Sequence, residues 1–374
     1  MSKGLVVLAA GGTGGHLFPA QALAEVLRTR GYDIHLVTDE RVHDYGKNFP
    51  ASQTHVIPSA SLSLSKPLKV PGNLLRLVSG VAKARSLFKL TKPAAVVGFG
   101  GYPSLPPLWA ATMLGVPSIV HEQNAVLGRA NKLMASRVDA IATSFEVVSK
   151  LTDDAKAKVV LTGNPVRKTA LNFAGASYPQ LTETSAFYLV VFGGSQGAKF
   201  FSDVMPAALA CLPSDLRQRL SLVQQCRQED IARVEEGLTK LGVKAQLSPF
   251  FANMPEQIAN AHLVICRSGA SSIAELGVIG RTALLVPLPH AIDNDQQKNA
   301  ESFVAAGAGQ IRAQNTLTPQ VLADAIAQLM RYPQGLKEAA AAAARHGRPD
   351  AAQRLADLVE RHIARHSPTG EYSK

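Results

Sequence analysis

Leu5-Val6-Val7-Leu8-Ala9-Ala10 runs into Gly11-Gly12-Thr13-Gly14-Gly15-His16, and the pattern returns as Tyr188-Leu189-Val190-Val191-Phe192 running into Gly193-Gly194-Ser195-Gln196-Gly197-Ala198. Each copy reads as a strand turning through glycine into a helix, Phe18 to Arg30 after the first and Phe200 to Cys211 after the second. Short runs that are apolar on both faces belong in the middle of parallel sheets, where helices cover both sides. The glycines let backbone approach a ligand that a Cβ would exclude, and the N–H groups opening the next helix favour an anion. Phosphate is the natural guest. A tight turn with no ligand remains the plain alternative for either copy alone. Leu17 stands where a dinucleotide fingerprint needs its third glycine, and no Gly-Lys-Ser/Thr completes a Walker loop.

The offset between the glycine turns divides the 374 residues near the middle. A chain of that length exceeds one ordinary core, so two α/β domains are expected, residues 1–165 and 166–344. No apolar run reaches the roughly 18 residues of a membrane span. The N-terminus has Lys3 and then a strand, which is not a signal-peptide pattern. Cys211, Cys226 and Cys266 show no metal-type spacing and read as small buried hydrophobes in a reducing compartment.

The formal charge is +11, and most of it comes from one segment. Between Asp44 and Glu122 there is no acidic residue, while Lys47, Lys66, Lys69, Arg76, Lys83, Arg85, Lys89 and Lys92 lie in that gap. Such a segment suits nucleic acid, an anionic bilayer or a polyanionic substrate. A serine-rich loop, Ser59 to Lys69, precedes a helix from Asn73 to Leu90. On a helical wheel Leu74, Leu77, Val78, Val81 and Phe88 form the expected core stripe. Leu75 and Leu87, beside Arg76, Lys83, Arg85 and Lys89, are then candidates for contact with a membrane surface. The alternative is a solvated face with its leucines covered by the serine-rich loop. Aromatic residues are too few there to stack on nucleic acid.

Ala94 to Val97 opens a third glycine turn, Gly98-Phe99-Gly100-Gly101-Tyr102-Pro103-Ser104, and strand Ser118 to Val120 leads to His121-Glu122-Gln123-Asn124. Ligands of open parallel sheets sit beyond the carboxyl ends of strands, so these turns and Gly11–His16 are expected to share one crevice. Arg167, after Gly163-Asn164-Pro165-Val166, is a bidentate phosphate ligand or a surface cation. In the second half, strands are expected at Leu220–Gln224, Lys244–Leu247, His262–Ile265 and Ala283–Val286. Cys266-Arg267-Ser268-Gly269-Ala270-Ser271-Ser272-Ile273-Ala274-Glu275 is a strand end, a small-residue turn and a helix bearing a carboxylate. Asp293-Asn294-Asp295 reads as capping before a helix in preference to metal binding. The chain after Leu336 is helical with a break at Gly347-Arg348-Pro349.

Taken in order, these glycine turns, His121–Asn124, Gly163–Arg167 and Cys266–Ala270 resemble the MurG family, bacterial UDP-N-acetylglucosamine:lipid I N-acetylglucosaminyltransferases of peptidoglycan synthesis. The resemblance covers Gly4 to about Ala300 and implies a GT-B fold, two Rossmann-like domains facing a cleft, with a C-terminal helix at about 345–366 packing back on the first. It implies inverting transfer of N-acetylglucosamine from UDP to the 4-hydroxyl of lipid I, with no metal or other cofactor, at the cytoplasmic face of the inner membrane. Cell-wall or division proteins are possible partners; nucleic acid is not expected. Carried over by motif, donor contacts would be Thr13, Gly14, Gly15, Asn124, Arg167, Ser195, Gln196, Phe251, Ala270, Ser271, Ser272, Ile273, Ala274, Glu275, Gln296 and Asn299. Glu275 would hold the ribose, and Gln296 or Gln297, with Asn299, the sugar. Gly12, His16, Gly100, Gly101 and Tyr102 would form the acceptor and diphosphate loops. His16 is the first candidate for base and Glu122 the second, while His16 could instead bind a phosphate. The chain departs from the family in having Leu105 for a glycine, Phe251 for an isoleucine, and one extra residue before Gln296. The competing readings are a GT-B transferase for another lipid, such as a diacylglycerol, and a non-catalytic UDP-sugar-binding protein at the membrane.

Overall fold

The computed structural model describes residues 2–11, 14–40, 49–60, 70–194, 199–289 and 291–366. The chain forms two compact units, one running to Arg167 and completed by the segment from Asp350, the other Lys168–Pro349. The division thus falls two residues beyond the expected 165, which leaves Val166 and Arg167 with the first unit.

Seven parallel strands build the described sheet of the first unit: β1 Leu5–Ala9, β2 Asp33–Thr38, β3 Gln53–Val56, β4 Ala95–Gly98, β5 Ser118–Glu122, β6 Ala140–Thr143 and β7 Val159–Leu161. Their order is β3-β2-β1-β4-β5-β6-β7, so the winding reverses between β1 and β4. β1 is buried on both sides because Leu8 faces one core and Val7 and Ala9 the other. Helix Gly14–Thr29 and the terminal helix Ala351–His366 cover the first face, where Leu17, Leu23 and Leu27 meet Leu355, Leu358 and Val359. Arg30 also joins them, its Nη1 2.6 Å from both Asp357 and Glu360.

The second unit repeats the plan with β8 Phe187–Phe192, β9 Leu220–Gln225, β10 Lys244–Ser248, β11 Leu263–Cys266, β12 Ala283–Leu285 and β13 Gly309–Ile311, ordered β10-β9-β8-β11-β12-β13. Its reversal lies between β8 and β11. In each unit a glycine turn therefore leaves a strand at the switch point, where the diverging connections open a crevice.

Three expectations need correction. Helix Val70–Thr91 buries Gly80, Ala84 and Phe88, while Leu74 and Val78 are 51% and 57% exposed. The cause is close approach: a Cβ at Gly80 would lie 2.2 Å from the Pro58 carbonyl and 3.1 Å from Pro106 Cγ. The small-residue side thus faces inward, carrying Leu87 to the edge of the core with it. Cys211 is exposed, although Cys226 and Cys266 are buried as expected. Strand β13 was not anticipated. It is three residues long and needs Gly309, where a Cβ would meet the Ala283 carbonyl at 2.3 Å.

Candidate functional site

In the first unit the helix after β1 starts at Gly14 and carries Gly15 and His16 in its first turn. A Cβ at Gly11 would strike Pro103 at 2.6 Å, so the first and third glycine turns are in contact at the switch point. Gly100 and Gly101 have φ of +84° and +70°, in the left-handed region that favours glycine. The His16 ring lies against both, Cδ2 3.5 Å and Cε1 3.6 Å from where their Cβ atoms would be. Tyr102 borders a cavity of about 270 Å³ that also takes in Asp39, Glu40 and Arg76. Arg167 stacks on Phe18, two residues along the helix from His16, at 4.8 Å from the ring centroid.

Behind this turn is a buried polar hub. Glu122 Oε1 accepts from the Asn124 amide at 3.0 Å, and Oε2 accepts from the Gly128 amide at 2.8 Å and from Asn131 Nδ2 at 2.7 Å. Burial raises its pKa against the pull of those donors. The carboxylate thereby ties the loop after β5 to helix Arg129–Met134, which is a bracing geometry. His121 Nε2 donates to the Gly163 carbonyl and Nδ1 accepts from Gln123, and full burial pushes its pKa down to about 4. Both residues lie within β5, which runs two residues past the expected end at Val120.

In the second unit helix Ala270–Ile279 begins after Gly269 with no side-chain cap, so its first N–H groups point beyond the strand ends. Ser271 Oγ is buried with no protein partner, and Glu275 is largely buried one turn further on. Ser272, Ile273 and Ala274 continue the same helix. Phe251 is buried, its neighbour Phe250 exposed. Gln225, a residue not singled out from sequence, accepts from the Gly193 amide and donates to the Pro249 carbonyl, joining the loops after β8 and β10.

The loop after β12 leads into helix Asp295–Ala305 through Asp293 and Asn294, both at positive φ. Asp295 accepts from the Gln296 amide at 2.7 Å, and Asn294 is the cap residue without a side-chain bond. Gln296 and Gln297 differ clearly. Gln296 Oε1 accepts from the Leu288 amide at 3.0 Å, facing the strand-end loop, whereas Gln297 donates to Glu301 along its own helix. Asn299 is fully buried and donates to the Ser268 carbonyl, bracing the turn after β11.

Gly12, Thr13, Ser195 and Gln196 lie outside the described residues, as do Lys47, Lys66 and Lys69. Of the expected membrane residues, Leu75 is 71% exposed and Arg85 and Lys89 are exposed. The other three also have contacts within the chain: Lys83 Nζ donates to the Val56 carbonyl and Arg76 pairs with Glu40 at 3.9 Å, both remaining exposed, while Leu87 packs against the core. No described helix is long and apolar enough to cross a membrane.

Residues 6–143 match the glycosyltransferase family 28 N-terminal domain, and residues 188–355 the C-terminal domain of the same family. The chain belongs to glycosyltransferase family 28. It is 51% identical over 360 residues, 96% of each chain, to the UDP-N-acetylglucosamine--N-acetylmuramyl-(pentapeptide) pyrophosphoryl-undecaprenol N-acetylglucosamine transferase of Rhizobium meliloti strain 1021. The same-named protein of Mesorhizobium japonicum is 50% identical over 374 residues, all of this chain and 99% of its own. Among solved structures, MurG of Acinetobacter baumannii superposes with a TM-score of 0.77 at 29% identity, covering 96% of this chain and 99% of the other. The expected likeness to the MurG family therefore extends over nearly the whole length.

Proposed function

We infer that this family 28 chain is an enzyme that transfers N-acetylglucosamine from UDP-N-acetylglucosamine to the muramoyl sugar of lipid I, forming lipid II for peptidoglycan. The observation that carries this is the end-to-end identity of about half with transferases named for that reaction. Two Rossmann-like units, each with a glycine turn at its switch point, are the frame such chemistry needs.

The donor leaves as UDP, so negative charge grows on the β-phosphate as the glycosidic bond breaks. Amides at a helix N-terminus stabilise such charge without reorganising. The uncapped start of helix Ala270–Ile279 and the glycine turn after β8 are the candidates, with Glu275 on the ribose and the Arg167 guanidinium on phosphate. In this reading no metal is required, since fixed dipoles and a guanidinium supply the positive potential.

The acceptor hydroxyl must lose a proton as it attacks the anomeric carbon from the face opposite UDP. His16 is the proposed base: its ring rests on Gly100 and Gly101, beside the strand ends where an acceptor would enter. Glu122 is less suited, because protein donors already occupy both of its oxygens. Because lipid I is held in a bilayer, the enzyme is proposed to work peripherally at the cytoplasmic face of the inner membrane. The exposed Leu74, Leu75, Val78, Arg85 and Lys89 support that placement.

Transfer of radiolabelled N-acetylglucosamine tests the reading. Label should appear in lipid II with lipid I as acceptor, and not in diacylglycerol. Transfer to diacylglycerol alone would point to another lipid pathway, and donor binding without turnover would leave only a binding protein. Retention of activity in EDTA is expected; loss restored by Mg²⁺ would return a metal to the mechanism.

A further inference from the structure

Arg267 is a buried cation with no carboxylate partner among the described residues, only 6% exposed at the end of β11. Its Nη1 donates to the carbonyls of Val286 at 2.9 Å and Pro287 at 3.2 Å, and Nη2 donates to Gln314. The guanidinium lies 5.2 Å from the Phe201 ring centroid and 5.6 Å from that of Phe200. Desolvation lowers its pKa, and Nε is buried without a partner. A buried guanidinium so placed is costly for stability alone, since apolar packing would serve as well.

What it holds is informative. Val286 and Pro287 lead directly into Leu288, whose amide donates to Gln296 Oε1. That bond sets the carboxamide orientation, because only the oxygen can accept. The Gln296 backbone is held at the same time: Ser268 Oγ donates to its carbonyl at 2.8 Å, and Asp295 accepts from its amide. With Oε1 engaged, the side chain has its NH₂ group to offer a ligand oxygen.

We propose that Arg267 is a positioning residue for the donor sugar, acting through the Val286–Leu288 backbone to orient the Gln296 carboxamide toward a sugar hydroxyl. The proposal rests on the expectation that Gln296 or Gln297 contacts the donor sugar, and takes Gln296 because its carboxamide faces the strand-end loop while Gln297 bonds Glu301 along its own helix. Lysine cannot replace it, because an ammonium lacks the rigid fork that spans two carbonyls and a side-chain amide.

The experiment is a double-mutant cycle of Arg267→Lys and Gln296→Ala. It reads kcat/KM for UDP-N-acetylglucosamine and for its C4 epimer, with the Kd of UDP as a control. Arg267→Lys is expected to lower kcat/KM for the natural donor about 10- to 100-fold, to narrow the preference over the epimer, and to leave UDP affinity within about twofold. In the Gln296→Ala background it should add less than about twofold. Leu288→Pro, which removes the orienting N–H, provides a second variant should Arg267→Lys fail to fold, and is expected to narrow the same preference, with Leu288→Ala as the control for the lost side chain. Effects that multiply in the double mutant would overturn the proposal, as would a matching loss of UDP affinity, which would place Arg267 on the diphosphate. If Gln296→Ala alone leaves kcat/KM unchanged, the sugar contact itself is wrong and the positioning role falls with it. An impaired Gln296→Ala with additive effects removes only the positioning role.

Discussion

Asn131 Nδ2 donates to Glu122 Oε2 at 2.7 Å, and the same amide group lies 3.4 Å from where a Cβ on Gly100 would be. One side chain thus touches both the buried hub and the turn on which His16 rests. The arrangement separates two roles that a carboxylate beside a histidine can play. If Glu122 braces the loop, Glu122→Gln turns an amide against a donor and should lower stability by about 2 kcal/mol, read in urea unfolding, while most of kcat remains. His16→Ala should instead lower kcat by at least about 100-fold with the fold intact. The reverse pattern would make Glu122 the base.

His121 gives the first unit an acid sensitivity. Its ring is neutral in the folded state with a pKa near 4 against an ordinary 6.5, so on acidification the unfolded chain binds the proton first. Stability from the neutral ring is present above pH 6.5 and is lost as pH falls through about 4. Glu122 has the opposite sign, because its raised pKa lets the folded state take up a proton earlier. The two are separated by comparing wild type with His121→Gln at pH 7 and pH 5. Wild type should lose about 2 kcal/mol more of unfolding free energy over that interval. Equal losses would mean that burial does not lower the His121 pKa.

The central strands were legible because β1 and β8 are apolar on both faces, and the glycines that follow announce the switch points. The helix Val70–Thr91 was misread for a physical reason: hydropathy weighs side-chain bulk, but the inward face was set by Gly80 and Ala84 where backbones approach. β13 carried too short a pattern to register. Arg267 and Gln225 escaped notice because their partners lie far along the chain, at Val286, Gln314 and Pro249. A motif shows that an arginine is present; only the fold shows which carbonyls it holds.

Arg281, the largest fully buried side chain among the described residues, illustrates the same point. Its guanidinium donates to the carbonyls of Ala176, Ser177, Ala259, Ile279 and Gly280, fastening the segment after Arg167 to the ends of two helices. Lysine cannot serve that many acceptors. Arg281→Lys should destabilise the second unit by about 3 kcal/mol or more, seen as a lower urea midpoint. A change under about 1 kcal/mol would show that water replaces the lost donors.

The proposed membrane attachment would divide into an apolar and a cationic part, because the exposed side of helix Val70–Thr91 carries both. Leu74, Leu75 and Val78 occupy its first half, and Arg85 and Lys89 its second. Each cation near an anionic surface contributes about 1 kcal/mol, so Arg85→Gln with Lys89→Gln should weaken binding to anionic vesicles about 30-fold. That deficit should shrink as salt rises, since surface charges are screened within about 10 Å at 0.1 M. Leu75→Gln acts on buried apolar area instead, so its loss should persist at high salt and appear on neutral vesicles too. Unchanged sedimentation of both variants would move the attachment site off this helix, whereas a purely salt-sensitive loss would mean that the leucines never enter the bilayer.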